Sequence, residues 1–158
     1  MNIVDELLAL VHELEAQHVP YAVCGGLAVA LHGHPRFTHD IDLLAPKEAL
    51  DAIRRAAHRC GFVLESGSIT FGAGTERERE LHRFTKAQGT EALTLDILIV
   101  APAYDRAWRE RATVAWRGQR LWAVSREGLI DMKRLSGRAR DLADIEALEG
   151  RAEERADG

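Results

Sequence analysis

Apolar positions along the first seventeen residues recur at helical spacing. Ile3, Leu7, Leu10, Val11 and Leu14 fall on one face, which predicts a helix from about Asn2 to Gln17, ended before Pro20. The period then changes. Tyr21-Ala22-Val23-Cys24 is a short apolar run halted by Gly25-Gly26, the pattern of a buried strand. Leu27 to Leu31 suits a short helix, with Gly33 placed to end it. Ile41 to Leu44 predicts a second strand. Pro46 suits the first position of the following helix, whose apolar stripe is Leu50, Ile53 and Ala57 and which stops at Gly61.

Farther along, Phe62 to Glu65 and Ile69 to Phe71 read as two short strands, and Gly72 to Glu80 as a polar, mobile loop. Leu81 to Ala87 and Leu93 to Val100 form a predicted strand pair joined through Gln88-Gly89-Thr90, and Thr113 to Trp116 and Arg120 to Val124 a hairpin turning at Gly118. Ser125 is a predicted N-cap for a helix carrying Leu129, Ile130 and Lys133, interrupted at Gly137. Arg138 to Glu149 predicts a last helix with Leu142, Ile145 and Leu148 inward. Helices and strands are intermixed, yet several strands are joined by short hairpins. The expected class is α/β, a mixed β-sheet flanked by helices. At 158 residues the chain is long enough for one domain, expected over 1–150, followed by a charged, disordered tail over 151–158.

Composition narrows the functions. With 46% apolar and 29% charged residues, the chain is neither disordered nor fibrous. No apolar run approaches the ~20 residues of a membrane span, so no membrane association is expected. The 21 basic and 25 acidic residues leave a net charge of −4, which argues against coating nucleic acid as the main task. Cys24 and Cys60 have no metal-type spacing, and Met1-Asn2-Ile3-Val4-Asp5-Glu6 lacks the basic region of a secretion signal. The expected address is cytoplasmic.

The most informative triplet is Asp40-Ile41-Asp42. Strand residues i and i+2 share a face, so both carboxylates project together while Ile41 turns to the core. Two carboxylates this close repel, and a divalent cation resolves the conflict; an exposed strand end with two solvated Asp is the plainer reading. Asp96 adds weight. It interrupts Leu93-Thr94-Leu95-Asp96-Ile97-Leu98-Ile99-Val100, a run that otherwise reads as a buried strand, and a charge there needs a metal or one of the many arginines as partner. Three carboxylates with oxygen donors suit Mg²⁺ and a phosphate co-ligand. Gly25-Gly26 lies between a strand and a helix, where the backbone can approach an anion closely.

These residues occur in order: Cys24-Gly25-Gly26-Leu27-Ala28-Val29-Ala30-Leu31-His32-Gly33, then Arg36-Phe37-Thr38-His39-Asp40-Ile41-Asp42, then Leu95-Asp96-Ile97-Leu98. The pattern resembles the polymerase-β-like nucleotidyltransferase superfamily, in particular the small bacterial AbiEii-type and minimal nucleotidyltransferases. The resemblance covers about Val19 to Leu148 and implies the nucleotidyltransferase fold. It implies that Asp40 and Asp42 hold the metal ions that bind a nucleoside triphosphate, and that Asp96 shares the catalytic metal and helps deprotonate the acceptor. Gly25 and Gly26 would cradle the triphosphate. Leu27 departs from the family, where Ser is common, so a hydroxyl contact to phosphate is missing. Arg36, Thr38 and Lys133 are candidate nucleotide-binding residues. Arg36 either neutralises Asp40, touches phosphate or forms a structural ion pair. Lys133 either reaches the phosphates or is an exposed helix lysine. Trp108, Trp116 and Trp122 suit packing better than base stacking.

The expected function is transfer of a nucleoside monophosphate from a Mg²⁺-bound NTP to an acceptor hydroxyl, with two Mg²⁺ ions and Mn²⁺ as a substitute. The acceptor is left open between a small molecule, tRNA and a partner protein, and the resemblance makes a toxin–antitoxin role, with a toxin or antitoxin partner, an expectation. The alternatives are a non-catalytic nucleotide- or partner-binding module on the same fold and a Mg²⁺-dependent phosphohydrolase.

Overall fold

Register explains the architecture. The computed structural model describes residues 1–157, with side chains described over 1–150. Among the described residues, seven strands make one sheet: β1 (Ala22–Cys24), β2 (Asp40–Ala45), β3 (Leu64–Phe71), β4 (Arg79–Gln88), β5 (Glu91–Ile99), β6 (Ala112–Trp116) and β7 (Gln119–Ala123). Their order across the sheet is β3-β4-β5-β2-β1-β7-β6. β2 runs parallel to β5, and β1 runs parallel to β7; the remaining neighbours are antiparallel. The sheet is therefore mixed, as expected, and flanked by helices.

The helices are α1 (Ile3–Ala16), α2 (Gly25–Leu31), α3 (Leu50–Arg59), α4 (Asp105–Arg109), α5 (Arg126–Ser136) and α6 (Ala139–Asp157). Strand alternation divides their work. Ile41 and Leu43 of β2, Leu95 and Ile97 of β5 and Phe84 of β4 are buried on one face. α1 and α3 cover it. Lys86 of β4 reaches Glu6 of α1 on that side at 2.8 Å, and His58 of α3 packs edge-on against Phe84. Leu7, Leu10, Val11 and Leu14 of α1 are fully buried there, the stripe that the helical period predicts. α1 starts where Asn2 accepts hydrogen bonds from the Val4 and Asp5 backbones, a cap worth about 1 kcal/mol. The opposite face of the central strands carries the acidic residues, and α5 and the start of α6 overhang it.

Several boundaries differ from expectation for identifiable reasons. Phe62 is not in a strand; it is buried beneath the end of α3, its backbone closing on Ala57. The two short strands predicted around it are one strand, β3, whose register shifts between Glu65 and Ser68, where Gly67 has φ +80°. Pro46 caps a short 3-10 turn, Lys47–Ala49, that leads into α3. α4 and the 3-10 turn Pro102–Tyr104 ahead of it have no counterpart in the sequence reading. In α6, Leu142 faces outward at 57% exposure, while Asp141 and Asp144 turn inward with Ile145 and Leu148. The charged tail expected over 151–158 lies outside the residues whose side chains are described. Among the described residues no helix is long and apolar enough to cross a membrane.

Candidate active site

One row of residues across the sheet defines the site. Cys24 of β1 stands opposite Asp42 of β2, Asp42 opposite Asp96 of β5, and Asp96 opposite Arg83 of β4. Side chains paired in register share a face, and neighbouring strands lie ~4.8 Å apart. Asp40, two residues before Asp42, projects from the same face. The parallel β2–β5 register thus brings the three carboxylates of the sequence motif to one surface.

They line a cleft of ≈ 300 Å³, with Gly25 and Gly26 at the start of α2 on one side and Lys133 and Arg138 on another. Both glycines are needed for close approach. Gly25 adopts φ +64°, and a Cβ there would overlap the Asp42 carboxylate. A Cβ on Gly26 would sit 2.7 Å from Thr38 Oγ1 and 3.1 Å from Arg36 Nη2. The glycine turn is therefore packed directly onto the segment that carries Arg36, Thr38 and Asp40.

Arg36 pairs with neither Asp40 nor a free surface. Its Nε and Nη2 donate to the two carboxylate oxygens of Asp144, each at 2.8 Å, and its Nη1 donates to the Phe37 carbonyl at 3.0 Å. Lys133 is not an exposed helix lysine either. It is 5% exposed, and its Nζ lies 3.2 Å from Asp141 and 2.9 Å from Asp144. Arg138 closes the chain of charges on Asp141 at 2.9 Å. Burial alone would raise Asp141 and Asp144; the Arg138, Arg36 and Lys133 partners hold both below the usual carboxylate range. This network ties α5 and α6 to the segment before β2.

The acidic residues differ among themselves. Asp96 is 4% exposed and takes a bidentate pair from Arg83, Nε to Oδ1 at 2.8 Å and Nη2 to Oδ2 at 3.0 Å. Among the described residues, Asp40 and Asp42 have no hydrogen-bond or ion-pair partner. Burial, reinforced by the charges of Asp96 and Asp40, pushes Asp42 up to about 7, against the pull of Lys133 and Arg138. Cys24 is buried beside it, and burial with the same negative field keeps its thiol protonated.

Among the described residues, no three His, Cys, Asp or Glu side chains are grouped so as to hold a metal ion. The donor chemistry still fits a hard cation at Asp40 and Asp42: oxygen donors on one strand face, with no cationic partner of their own. The third carboxylate, Asp96, has both oxygens engaged by Arg83. The histidines form no alternative centre; His32 Nε2 is bonded to the Val124 carbonyl at 2.9 Å.

In the comparison with protein families, the sequence model for aminoglycoside-2''-adenylyltransferase fits residues 6–114, from α1 through β6 and across all three carboxylates. The chain belongs to this family. Comparison with curated proteins finds no match. Among solved structures, a candidate nucleotidyltransferase from Thermotoga maritima superposes with a TM-score of 0.62 at 18% identity, covering 94% of this chain and 92% of its own. ANT(2'')-Ia in complex with adenylyl-2''-tobramycin superposes with a TM-score of 0.60 at 17% identity, covering 92% of this chain and 86% of its own. At these identities the likeness is one of fold. The comparisons support the nucleotidyltransferase superfamily and do not single out its AbiEii-type group.

Within this adenylyltransferase family member, sequence reasoning missed six residues of the cleft and its support: Arg83, Arg79, Tyr104, Arg138, Asp141 and Asp144. Asp144 carried a signal. Asp141, Asp144, Ile145 and Leu148 are spaced as one helical face, so two carboxylates in that stripe had to be buried and paired. Tyr104 ends an unpredicted 3-10 turn and is buried, which pushes its phenol up to about 12.

Proposed function

We propose that the protein transfers a nucleoside monophosphate from a Mg²⁺-bound NTP to a hydroxyl of a small-molecule acceptor. The observation that carries this reading is the register of Asp42 with Asp96, with Asp40 on the same face and the glycine turn packed against Asp42. Family membership supports the reaction class and a small-molecule acceptor.

Asp40 and Asp42, joined by Asp96, would hold Mg²⁺, which supplies charge neutralisation for the triphosphate and the departing pyrophosphate. The chain's own residues do the rest. Gly25 and Gly26 bring backbone N–H groups to the phosphates without side-chain obstruction. Arg138 lines the same cleft, and its field reaches Asp40 and Asp42. Arg36 and Lys133 act indirectly: engaged with Asp144 and Asp141, they fix the segment before β2 and keep positive charge near Asp42. The acceptor oxygen attacks the α-phosphorus, the bond to the pyrophosphate oxygen breaks, and an Asp96 carboxylate oxygen, released from Arg83, takes the acceptor proton.

The test separates binding from chemistry. Mg²⁺-ATP, -GTP, -CTP or -UTP raises the melting temperature of the wild-type protein. Asp42→Asn abolishes that shift. Asp96→Asn keeps it but lowers transfer at least ~100-fold. Failure of all four nucleotides to shift melting would overturn nucleotide binding, and equal loss of binding and rate in Asp96→Asn would remove its role as base.

A further inference from the structure

The strand alternation that gathers the carboxylates also fixes what borders them. On the cleft face, β4 presents Arg83, Leu81 and Arg79. Leu81 pairs with Leu98 of β5, and Arg79 with Phe71 of β3. Phe71, Arg79, Leu81, Leu98 and Tyr104 line the end of the cleft away from Asp40 and the glycine turn. The acid within this stretch of β4, Glu80, also borders the cleft, but its carboxylate is engaged by Lys47 at 3.2 Å and by His82 at 3.1 Å. Glu76 and Glu78, on the loop between β3 and β4, do not line the cleft. With Glu80 already paired, the charge this wall has left to offer is cationic, on an apolar surface.

Its two cations differ. Arg83 is committed to Asp96. Arg79 is half-buried and, among the described residues, has no carboxylate partner; its Nη1 donates to the Arg77 carbonyl at 2.8 Å, and its guanidinium lies 5.6 Å from the Phe71 ring centre. Beside it stands the Tyr104 phenol, on which the Arg79 charge acts. A half-buried guanidinium with spare N–H donors, next to a neutral hydroxyl and above an apolar floor, is built for an anionic group attached to an apolar body. A polycation approaching Asp96 over this wall would meet two guanidinium groups first.

We infer that the acceptor subsite takes a small hydroxylated molecule with an apolar or aromatic body and an anionic group bound by Arg79 and Tyr104, and rejects a polycationic aminosugar. This rests on the proposed transferase reading for the word acceptor; the subsite itself rests on the wall.

The test is equilibrium binding to the full-length protein saturated with Mg²⁺ and a non-hydrolysable ATP analogue. Four probes are compared: 4-(hydroxymethyl)benzoate, 4-(hydroxymethyl)phenyl phosphate, benzyl alcohol and tobramycin. The carboxylate or the phosphate probe binds at least tenfold more tightly than benzyl alcohol, and whichever is tighter names the anion. Tobramycin binds most weakly. Arg79→Gln removes the preference, Arg79→Lys retains part of it, and neither changes affinity for the nucleotide. The inference is overturned by equal binding of charged and neutral probes, by no binding of any probe, or by tightest binding of tobramycin. It is also overturned if Arg79→Gln weakens the nucleotide instead, which would assign Arg79 to the phosphates. Anion-probe binding by a protein that binds no nucleotide would sink the transferase reading and leave the subsite standing.

Discussion

Replacing Asp42 by Asn removes a charge that the fold itself resists. Asp42 lies between Asp40 and Asp96 with no ion-pair partner, and burial plus the two like charges push it from 3.8 to about 7. The sign follows from linkage. A carboxyl that is harder to ionise in the folded chain leaves folding unpenalised below ~pH 4. Stability is then lost as pH rises towards 7, and the full cost persists above it. At about 1.4 kcal/mol per pK unit, the displacement sets a ceiling of about 4 kcal/mol. The cleft admits water, so about half, ~2 kcal/mol, is the expected effect. Asn keeps the shape and removes the charge. In low salt with EDTA, Asp42→Asn therefore raises Tm by ~4–8 °C at pH 8 and changes it little at pH 4. Added Mg²⁺ raises the wild-type Tm at pH 8 and leaves the variant unmoved. A variant that melts below wild type at pH 8, or a difference independent of pH, would refute the electrostatic account of the site.

Other changes probe the surrounding frame. Lys133→Met leaves Asp141 and Asp144 buried with one cation fewer, and urea titration is expected to show a loss of about 3 kcal/mol. Because Asp141 and Asp144 are held below the usual range, their contribution is present above ~pH 4 and lost as pH falls through their folded values. The acid limb of unfolding is accordingly shallower in Asp144→Asn, measured by circular dichroism between pH 5 and 2. Gly25→Ala meets both a left-handed backbone and the Asp42 carboxylate; it is expected to cost about 1–3 kcal/mol and to abolish the Mg²⁺-NTP melting shift.

Much of this site was legible before any coordinates, and the reason is periodicity. Alternation alone put Asp40 and Asp42 on one face, and a charge inside an apolar run marked Asp96. What sequence alone leaves open is which strands are neighbours, since β2 and β5 are separated by α3 and a hairpin, and only the parallel register sets Asp42 beside Asp96. Arg83 lay within reach of sequence reasoning. A three-residue turn at Gln88-Gly89-Thr90 misses it, whereas pairing Gln88 with Glu91 across Gly89-Thr90 places Arg83 opposite Asp96. Lys133 and Arg36 were found as residues but not as partners, because their carboxylates sit on α6, whose inward face was read from Leu142 rather than from Asp141 and Asp144. Tyr104 left no signal, since it ends a three-residue turn, which has no period to detect.

The central claim is a nucleotidyl transfer at the Asp40, Asp42 and Asp96 face. The most direct measurement follows the label of ATP, GTP, CTP and UTP, each carried separately on the α- and the γ-phosphate, after incubation of the protein with Mg²⁺ and an extract of small molecules. For at least one nucleotide, the account predicts α-label on an acceptor and γ-label recovered in pyrophosphate, both reduced at least ~100-fold in Asp96→Asn. Release of γ-label as inorganic phosphate with no labelled acceptor would make the protein a phosphohydrolase. No movement of label from any of the four nucleotides would make it a binding module on a nucleotidyltransferase fold.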